Sequence, residues 1–458
     1  MKGKKMKKIV CCIVTIIMVA FSMNALCETL ITYGGTFSKN NDGLRMFELE
    51  NPNTYLSWSD AYYYPASAFV TALLTREFQC DIFIQGTDQA DWPTLMEKGF
   101  CMDLSSSVLL TDTVQRMYPN IASQAMFNGH LFAIPARIDF RYYYVNEETW
   151  LNMGYTMEEV PQSFSKFIDF LTLWCERIEE EPEANTVAMG GWDSESYSAG
   201  AYIARLAEIL VNEVIMQQQY AEQELSFNTS EIVELLEKCI DVGTRLYKLE
   251  SKNYSATLFE QIAGGIWPSK YSTIVFFRLN ESQPKLIESV LSMWAINSNS
   301  TNAEKAIELL EKAATVTDNL ETCDDLFIFQ DAQPRISENY SEDLLYWKNQ
   351  KEDVMLQLQS KTIDFDTKEI LESNLQKYVA AIERTELNKW KVSPEQLQEY
   401  QKVEAQLYFP KLNLFEKSAE SYEELQNLCK QFGYHKLNVN QFLQRLDRIA
   451  EMMRLEEE

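Results

Sequence analysis

Short apolar runs alternate with stretches of helical periodicity through most of the chain. Runs rich in β-branched and aromatic residues predict strands at 30–33, 55–58, 81–84 and 131–134. Between these runs apolar residues recur at helical spacing, for example in 66–77. Strands that alternate with helices in this way are typical of an α/β fold with a largely parallel sheet.

A second series of the same kind follows. Residues 141–145 and 291–296 are strand-like, and Asn228 with Glu231 forms a capping pattern ahead of a helix. His130 lies in a turn that enters a strand, which favours a structural role for it. The chain has no Pro-rich or Gly-rich linker. We therefore expect its domains to be joined by short crossings.

The pattern changes beyond about residue 340. Residues 341–455 look helical and highly charged, and the strand signal disappears. One apolar stripe marks the last predicted helix, formed by Phe442, Leu443, Leu446, Ile449 and Met453. We expect a helical C-terminal extension that packs through this stripe and exposes its charged face.

The first 27 residues have the pattern of a secretory signal peptide. Five lysines precede an apolar segment at 9–23, and small residues at 25 and 27 suit cleavage before Glu28. A retained membrane anchor is the second interpretation, since the apolar run of about 18 residues is at the short limit for a span of ~20. A lipid anchor at Cys27 is the third, although Asn24 and Leu26 occupy positions where lipoprotein signals usually have leucine and a small residue. The favoured interpretation places the mature chain outside the cytoplasm, secreted, periplasmic or at the cell surface.

Charge excludes several partners. The chain has 41 basic and 68 acidic residues, a net charge of −27, and loss of the five leader lysines leaves −32. Such a polyanion is a poor partner for nucleic acid or an anionic membrane. With only two histidines and no C-x-x-C pair, we expect no metal site and no cofactor. The six cysteines outside the leader are widely spaced, which favours buried free thiols over disulfides.

Motifs for catalysis are missing from the sequence. It contains no phosphate-binding or dinucleotide-binding glycine motif, no H-E-x-x-H and no G-x-S-x-G. Ser163 and Lys166 match S-x-x-K but lack the partner motifs of penicillin-recognising enzymes. A carboxylate pair for glycoside hydrolysis stays open, because 68 acidic residues make any spacing uninformative. We therefore expect a binding protein and not an enzyme.

Aromatic and polar residues follow several predicted strands. Ligands of open α/β sheets lie beyond the carboxyl ends of the strands. Aromatic faces cover the C–H surface of a polyhydroxylated ligand, while carboxylates and arginine bond its hydroxyls. The alternative is that each tryptophan is core, and that Asp88 and Asp193 are helix caps. The candidates are Trp58, Asp60, Thr87, Asp88, Arg137, Asp139, Trp192, Asp193 and Trp267.

Several ordered segments resemble the extracellular solute-binding proteins that feed ABC-type importers, in particular the sugar-type family 1. The most specific is Gly129–Pro135 followed by Tyr143–Asn146, which resembles that family's G-x-x-Y-x-x-P and Y-Y-N-K crossing between lobes. Residues 47–53, 81–83 and 97–104 resemble its early turns and third strand. Residues 294–300 resemble its second crossing.

The resemblance implies a two-lobed periplasmic-binding-protein-like α/β fold with hinge strands and ligand in the cleft. It places lobe 1 at 28–136 and 290–332 and lobe 2 at 140–288 and 338–458. Hinges are expected near 136–139, 288–292 and 333–337, so that Arg335 joins the candidate site from the last crossing. The implied function is capture of a sugar or oligosaccharide by a monomer that delivers it to an ABC permease.

Three alternatives remain open at this stage. A sensory binding protein would present the same ligand to a membrane kinase, and deletion of the acidic tail would then spare ligand affinity but abolish partner binding. A peptide or another non-sugar solute would suit the same fold. A secreted hydrolase would need a nucleophile–base pair that the sequence does not reveal.

Overall fold

The structure of the chain is a computed structural model. It describes residues 28–33, 42–59, 66–78, 80–180, 186–189, 198–249, 256–264, 272–315, 327–359, 364–410 and 419–457. The predicted signal peptide, residues 1–27, lies outside the described residues. No helix in the described ranges is long and apolar enough to cross a membrane.

The chain divides into two compact units. The first comprises the described residues within Met1–Ile266, Tyr271–Gln330 and Ala405–Glu458. The second comprises those within Trp267–Lys270 and Asp331–Glu404. Apart from 267–270, 331–332 and 338–404, both predicted lobes therefore fall within the first unit. The lobe boundaries stay a prediction.

Thirteen strands are present in the described residues. They are β1 (Glu28–Tyr33), β2 (Thr54–Ser59), β3 (Ile82–Gly86), β4 (Met126–Phe127), β5 (His130–Leu131), β6 (Ile134–Asn146), β7 (Thr186–Met189), β8 (Ala256–Gly264), β9 (Ser272–Val275), β10 (Ile287–Ile296), β11 (Arg335–Ile336), β12 (Trp390–Val392) and β13 (Leu407–Tyr408).

Nine of these strands form one sheet in the first unit. Their order is β2-β1-β3-β10-β6-β8-β7, with β13 beside β10 and β9 beside β6. The outer pairs β1–β2 and β7–β8 are parallel, whereas β10 runs antiparallel to both β3 and β6. The sheet is therefore mixed, because the two central strands run against their neighbours, and the expectation of a largely parallel sheet applies only to its ends.

The central strand β6 is one strand of 13 residues where the sequence indicated a hinge followed by a separate strand at 141–145. Its first half pairs with β10 from Ile134 to Arg141, and its second half pairs with β8 from Phe140 to Val145. The ladder with β10 shifts register between Ser292 and Met293, so that a bulge lies in the first half. The two crossings expected near 136–139 and 288–292 are thus adjacent hydrogen-bonded strands.

A tight hairpin precedes β6. Asn128 and Gly129 both have positive φ, 49° and 81°, and connect β4 to β5, as Asn-Gly does in two-residue turns. His130 follows, with Nδ1 2.8 Å from Oδ2 of Asp103. The turn predicted around His130 is confirmed.

Fifteen α-helices are present in the described residues. They are α1 (Asp42–Glu50), α2 (Ala66–Leu74), α3 (Trp92–Glu97), α4 (Val108–Gln115), α5 (Pro119–Gln124), α6 (Glu147–Asn152), α7 (Phe164–Glu180), α8 (Ala199–Tyr220), α9 (Ser230–Leu249), α10 (Ala303–Thr315), α11 (Tyr340–Leu358), α12 (Phe365–Leu387), α13 (Pro394–Val403), α14 (Ala419–Gly433) and α15 (Val439–Glu457).

One large hydrophobic core joins α7, α8 and α9 with β6 and β8 and also includes α14 and α15. Phe432, Phe442 and Leu443 of the last two helices are fully buried in it. The apolar stripe predicted for the last helix is therefore confirmed as a packing face at Phe442, Leu443, Leu446 and Ile449. The side chain of Met453 lies outside the described parts of the chain. The helix predicted after Asn228 begins at Ser230, and the hydroxyl of Thr229 accepts the N–H of Ile232.

The second unit is a helical hairpin closed by a short ribbon. Helices α11 and α12 pack through Val354 and Leu371, and the rings of Trp347 and Tyr378 lie 6.0 Å apart. Strands β11 and β12 pair, so residues beyond 340 do include strands, contrary to the prediction. Their two or three residues are too few for a periodicity signal.

Cysteines 80, 101, 175, 239 and 429 are all buried and free. This agrees with the expectation of buried thiols for the cysteines that the structure describes. Burial raises the pKa of the Cys101 thiol to about 12. The Cys101 thiol is therefore a poor nucleophile near neutral pH.

Candidate functional site

Two faces of very different character line the central strand β6. Ile138 and Phe140 point to one face and are fully buried. Arg137, Asp139 and Arg141 alternate with them, as the two-residue period of a strand requires, and are only half-buried. One face of β6 therefore belongs to the core, and the other is polar and charged.

Strand β10 continues this polar face. Its Glu288 is paired with Arg141, and its Ser292 is paired with Arg137 across the antiparallel ladder. Directly paired residues share one face of a sheet. We name the five residues Arg137, Asp139, Arg141, Glu288 and Ser292 the hinge floor.

Arg137 and Asp139 form an ion pair along β6. The guanidinium donates to Oδ1 of Asp139 through Nη2 at 2.7 Å and through Nε at 3.1 Å. The two side chains are 37% and 24% exposed, so both remain within reach of water or a ligand. Sequence analysis placed both residues in the candidate site, and the structure brings them together.

Arg141 lies between two carboxylates. Its Nη2 donates to Oδ2 of Asp88 at 2.5 Å, and its Nη1 donates to Oε1 of Glu288 at 3.0 Å. Burial lowers the pKa of Arg141, but the two carboxylates outweigh this effect and the net shift is upward. Burial also raises the pKa of Glu288, an effect that the adjacent Arg141 opposes. This network connects β6 and β10 with the residues that follow β3.

Thr87 and Asp88 reach this region from the end of β3. Thr87 is buried, its hydroxyl accepts the N–H of Leu291, and its own N–H donates to the Leu291 carbonyl. A Cβ on Gly86 would lie 2.4 Å from Oδ1 of Asp88, so the glycine leaves room for that carboxylate. Asp88 bonds Arg141 and is not a helix cap, since α3 is capped by Asp91.

Of the remaining candidates, the structure describes only Arg335 and the backbone of Trp58. Trp58 lies in edge strand β2, next to Thr32 of β1. Arg335 belongs to the second unit, where it is paired with Val392. The side chain of Trp58 and four whole residues lie outside the described parts of the chain: Asp60, Trp192, Asp193 and Trp267.

Sequence analysis missed Arg141 and Glu288 as site residues. A signal for Arg141 was present, because Arg137, Asp139 and Arg141 are charged at alternate positions of a segment that is otherwise apolar and aromatic. Such alternation indicates one polar face of a single strand. Glu288 carried no comparable signal, because only the register with β6 brings it to Arg141.

Comparison with known proteins identifies the fold. No protein-family model and no curated protein matches the chain. The structure is similar to that of maltose-bound MalE3 from T. maritima, with 12% sequence identity over 94% of this chain and 100% of that chain, at a TM-score of 0.51.

Two further solved structures are similar at lower scores. One is an ABC transporter solute-binding protein from Thermotoga lettingae with bound alpha-D-tagatose, at 12% identity, TM-score 0.49, over 93% of this chain and 98% of that chain. The other, from Agrobacterium vitis with bound D-mannitol, has 14% identity, TM-score 0.47, and coverage of 94% and 98%. The chain has the α/β fold of the two-lobed periplasmic binding proteins.

Proposed function

We propose that the protein is an extracytoplasmic solute-binding protein that captures a neutral sugar or oligosaccharide and delivers it to an ABC permease. The observation that carries the proposal is the half-exposed, charge-matched hinge floor on the central strands of a fold shared with a maltose-bound protein. The lobes in this proposal are 28–136 with 290–332, and 140–288 with 338–458. The protein acts as a monomer after loss of residues 1–27.

The charges around the hinge floor favour a neutral ligand. Arg137 is paired with Asp139, and Arg141 is shared by Asp88 and Glu288. Two cations thus face three carboxylates, which leaves one net negative charge and carboxylate oxygens that accept hydrogen bonds. Saccharide hydroxyls donate to such acceptors, whereas the carboxylate of a uronate or an amino acid would be repelled.

Aromatic stacking completes the proposed site. Trp58, Trp192 and Trp267 are the candidates, because each follows or ends a strand near polar residues. Their rings would cover the C–H faces of a sugar while the hinge floor takes its hydroxyls. Thr87 supports this site through the backbone of β10, and Arg335 stays a candidate from the sequence.

Thermal shift of the mature chain, residues 28–458, tests the proposal. The panel contains neutral mono- and oligosaccharides, their uronate counterparts, amino acids and peptides. A bound saccharide at a hundredfold its Kd adds about 2.7 kcal/mol of stability. We expect a dose-dependent shift with a neutral saccharide and none with its uronate. A shift with peptides alone, or with nothing on the panel, would contradict the proposal.

Asp139→Asn sharpens this test. The substitution keeps the shape of the side chain but removes the negative charge of the group to which Arg137 donates. We expect the neutral saccharide to bind at least tenfold more weakly, since a hydrogen bond to a charged group contributes about 1.5–3 kcal/mol. We also expect the difference in affinity between the neutral saccharide and its uronate to become smaller. Asp169→Asn is the matched control. Asp169 lies on the surface of α7 and pairs with Lys238 of α9. Equal effects of the two substitutions would remove Asp139 from the site.

A further inference from the structure

A buried carboxyl group lies behind the hinge strands. Glu213 of α8 is 7% exposed, and no cation of the described residues lies within ion-pair distance of it. Nε2 of Gln217 donates to its Oε1 at 2.7 Å and also contacts the carbonyl of Pro284 at 3.1 Å. The amide therefore connects the carboxyl of Glu213 to the segment that leads into β10.

The charges that act on Glu213 come from this segment and from β10. Glu288 disfavours ionisation of Glu213, and Arg278 favours it. The guanidinium of Arg278 is held by the carbonyls of Gln162, Glu281 and Gln283 at 2.7–2.9 Å. Arg278 therefore stays in place and does not pair with the carboxyl.

Other elements around α8 contribute few charges. Lys285 bonds Gln162 at 2.6 Å, and the Tyr408 hydroxyl of β13 contacts Gln219 at 3.3 Å. The titratable groups on α9 and α14 that are buried beside α8 are neutral thiols, Cys239 and Cys429. On α8 itself Glu208 is paired with Arg205.

Glu213 and the hinge floor are therefore connected through the segment that leads into β10. Gln217 connects the carboxyl of Glu213 to Pro284, which leads into β10. Glu288 of β10 bonds Arg141 of β6, and Arg141 also bonds Asp88 after β3. Burial disfavours ionisation of Glu213, and the charge of Glu288 adds to this cost. Ionisation of Glu213 thus affects the segment that leads into β10, one of the strands that cross between the predicted lobes.

We propose that Glu213 is a proton-operated element of the hinge. With its proton bound, Glu213 supports the arrangement described above. Loss of the proton favours a different hinge arrangement, in which the carboxylate reaches water and the contact between Glu288 and Arg141 is rearranged. Burial, together with the charge of Glu288, raises the pKa of Glu213 to about 7. The change between the two hinge arrangements is therefore expected near neutral pH.

Distance measurements between two spin labels test the proposal. Ser106→Cys in predicted lobe 1 and Glu176→Cys in predicted lobe 2 place the labels at exposed positions. Cys323→Ser removes one native thiol, and the five described cysteines are buried and therefore label slowly. We expect the distance distribution to change between pH 5.5 and 8.5 with a midpoint near 7.

Variants decide whether Glu213 is the group involved. In Glu213→Gln, which keeps the neutral shape, we expect the low-pH distribution at both pH values. Glu208→Gln, on the same helix, is the control and should keep the transition. An unchanged distribution in the parent chain, or a transition that persists in Glu213→Gln, would overturn the proposal.

A second variant covers the case in which Glu213→Gln does not fold. Glu288→Gln removes a like charge that disfavours ionisation of Glu213, so it should move the midpoint to lower pH. An unmoved midpoint would overturn the proposal. The inference rests on the hinge role of β6 and β10 in the proposed function. Its test uses no ligand, so its failure leaves the saccharide proposal standing, and absence of saccharide binding leaves the pH transition measurable.

Discussion

At the scale of single residues, Glu213 makes stability depend on pH. Its pKa is about 7 in the folded chain, because of burial above all, against an ordinary value of about 4.5. Between these pH values the folded chain holds a proton on Glu213 that the unfolded chain has released. The contribution of this proton to stability is complete below about pH 4.5 and is lost as pH rises through 7. Glu213→Gln removes this dependence. At pH 8 we expect the variant to exceed the parent by up to about 3 kcal/mol in the free energy of unfolding.

Urea unfolding at pH 5 and pH 8 measures this difference. The gain of the variant over the parent should be present at pH 8 and small at pH 5. A hinge movement that hydrates the carboxylate would reduce the gain at pH 8, which makes 3 kcal/mol an upper value. The same difference at both pH values would show that Glu213 does not titrate between them.

Residues at strand ends were predictable, whereas their partners across the sheet were not. Thr87, Asp88, Arg137 and Asp139 were expected together because they follow or begin strands, and the structure places all four around β3, β6 and β10. Glu288 and Arg141 are 147 residues apart in the chain and meet only through the register of β10 with β6. Register depends on side-chain packing and turn geometry along the whole ladder, which a single sequence does not reveal.

At the scale of elements, two glycines allow α8 and α14 to approach closely. A Cβ on Gly433 would lie 2.1 Å from the carbonyl oxygen of Gly200 and 2.8 Å from the backbone nitrogen of Ala204. Backbone atoms cannot move aside cheaply, so Gly433→Ala must separate the helices. We expect a loss of at least about 1–3 kcal/mol in the free energy of unfolding, the usual cost of overpacking.

Chemical denaturation of Gly433→Ala and a matched control measures this loss. Asn427→Ala lies on the exposed side of the same helix and should leave stability unchanged or slightly raised, since alanine is the better helix former. Equal midpoints for Gly433→Ala and the parent would contradict the close packing. Such a contact has no sequence signature, because a glycine near a helix end is ordinarily interpreted as a cap.

At the scale of the whole molecule, the helical C-terminal region has two different roles. Residues within Asp331–Glu404 form a unit with a small core of its own, whereas α14 and α15 complete the large core of the first unit. The sequence predicted one continuous extension, because both parts are helical and charged. What separates them is the location of their buried side chains in space, which periodicity alone does not contain.

The last two helices are therefore expected to be required for folding. Six of their leucine and phenylalanine side chains are no more than 4% exposed: Leu425, Leu428, Phe432, Phe442, Leu443 and Leu446. Burial of each contributes about 1.5–3 kcal/mol, so together they rival the entire stability of a typical domain, about 5–15 kcal/mol.

Deletion of residues 419–458 should abolish cooperative unfolding, measured by calorimetry, and expose the core to a hydrophobic dye. Replacing the exposed Glu451 by Gln on the same helix should change neither signal. A truncated chain that still unfolds cooperatively would show that these helices only cover the core. Deletion of the whole tail is expected to remove the fold, so it cannot test whether the tail binds a partner, as the sequence suggested. Charge substitutions on exposed residues of α11, such as Glu352→Lys, test that partner surface in a folded chain.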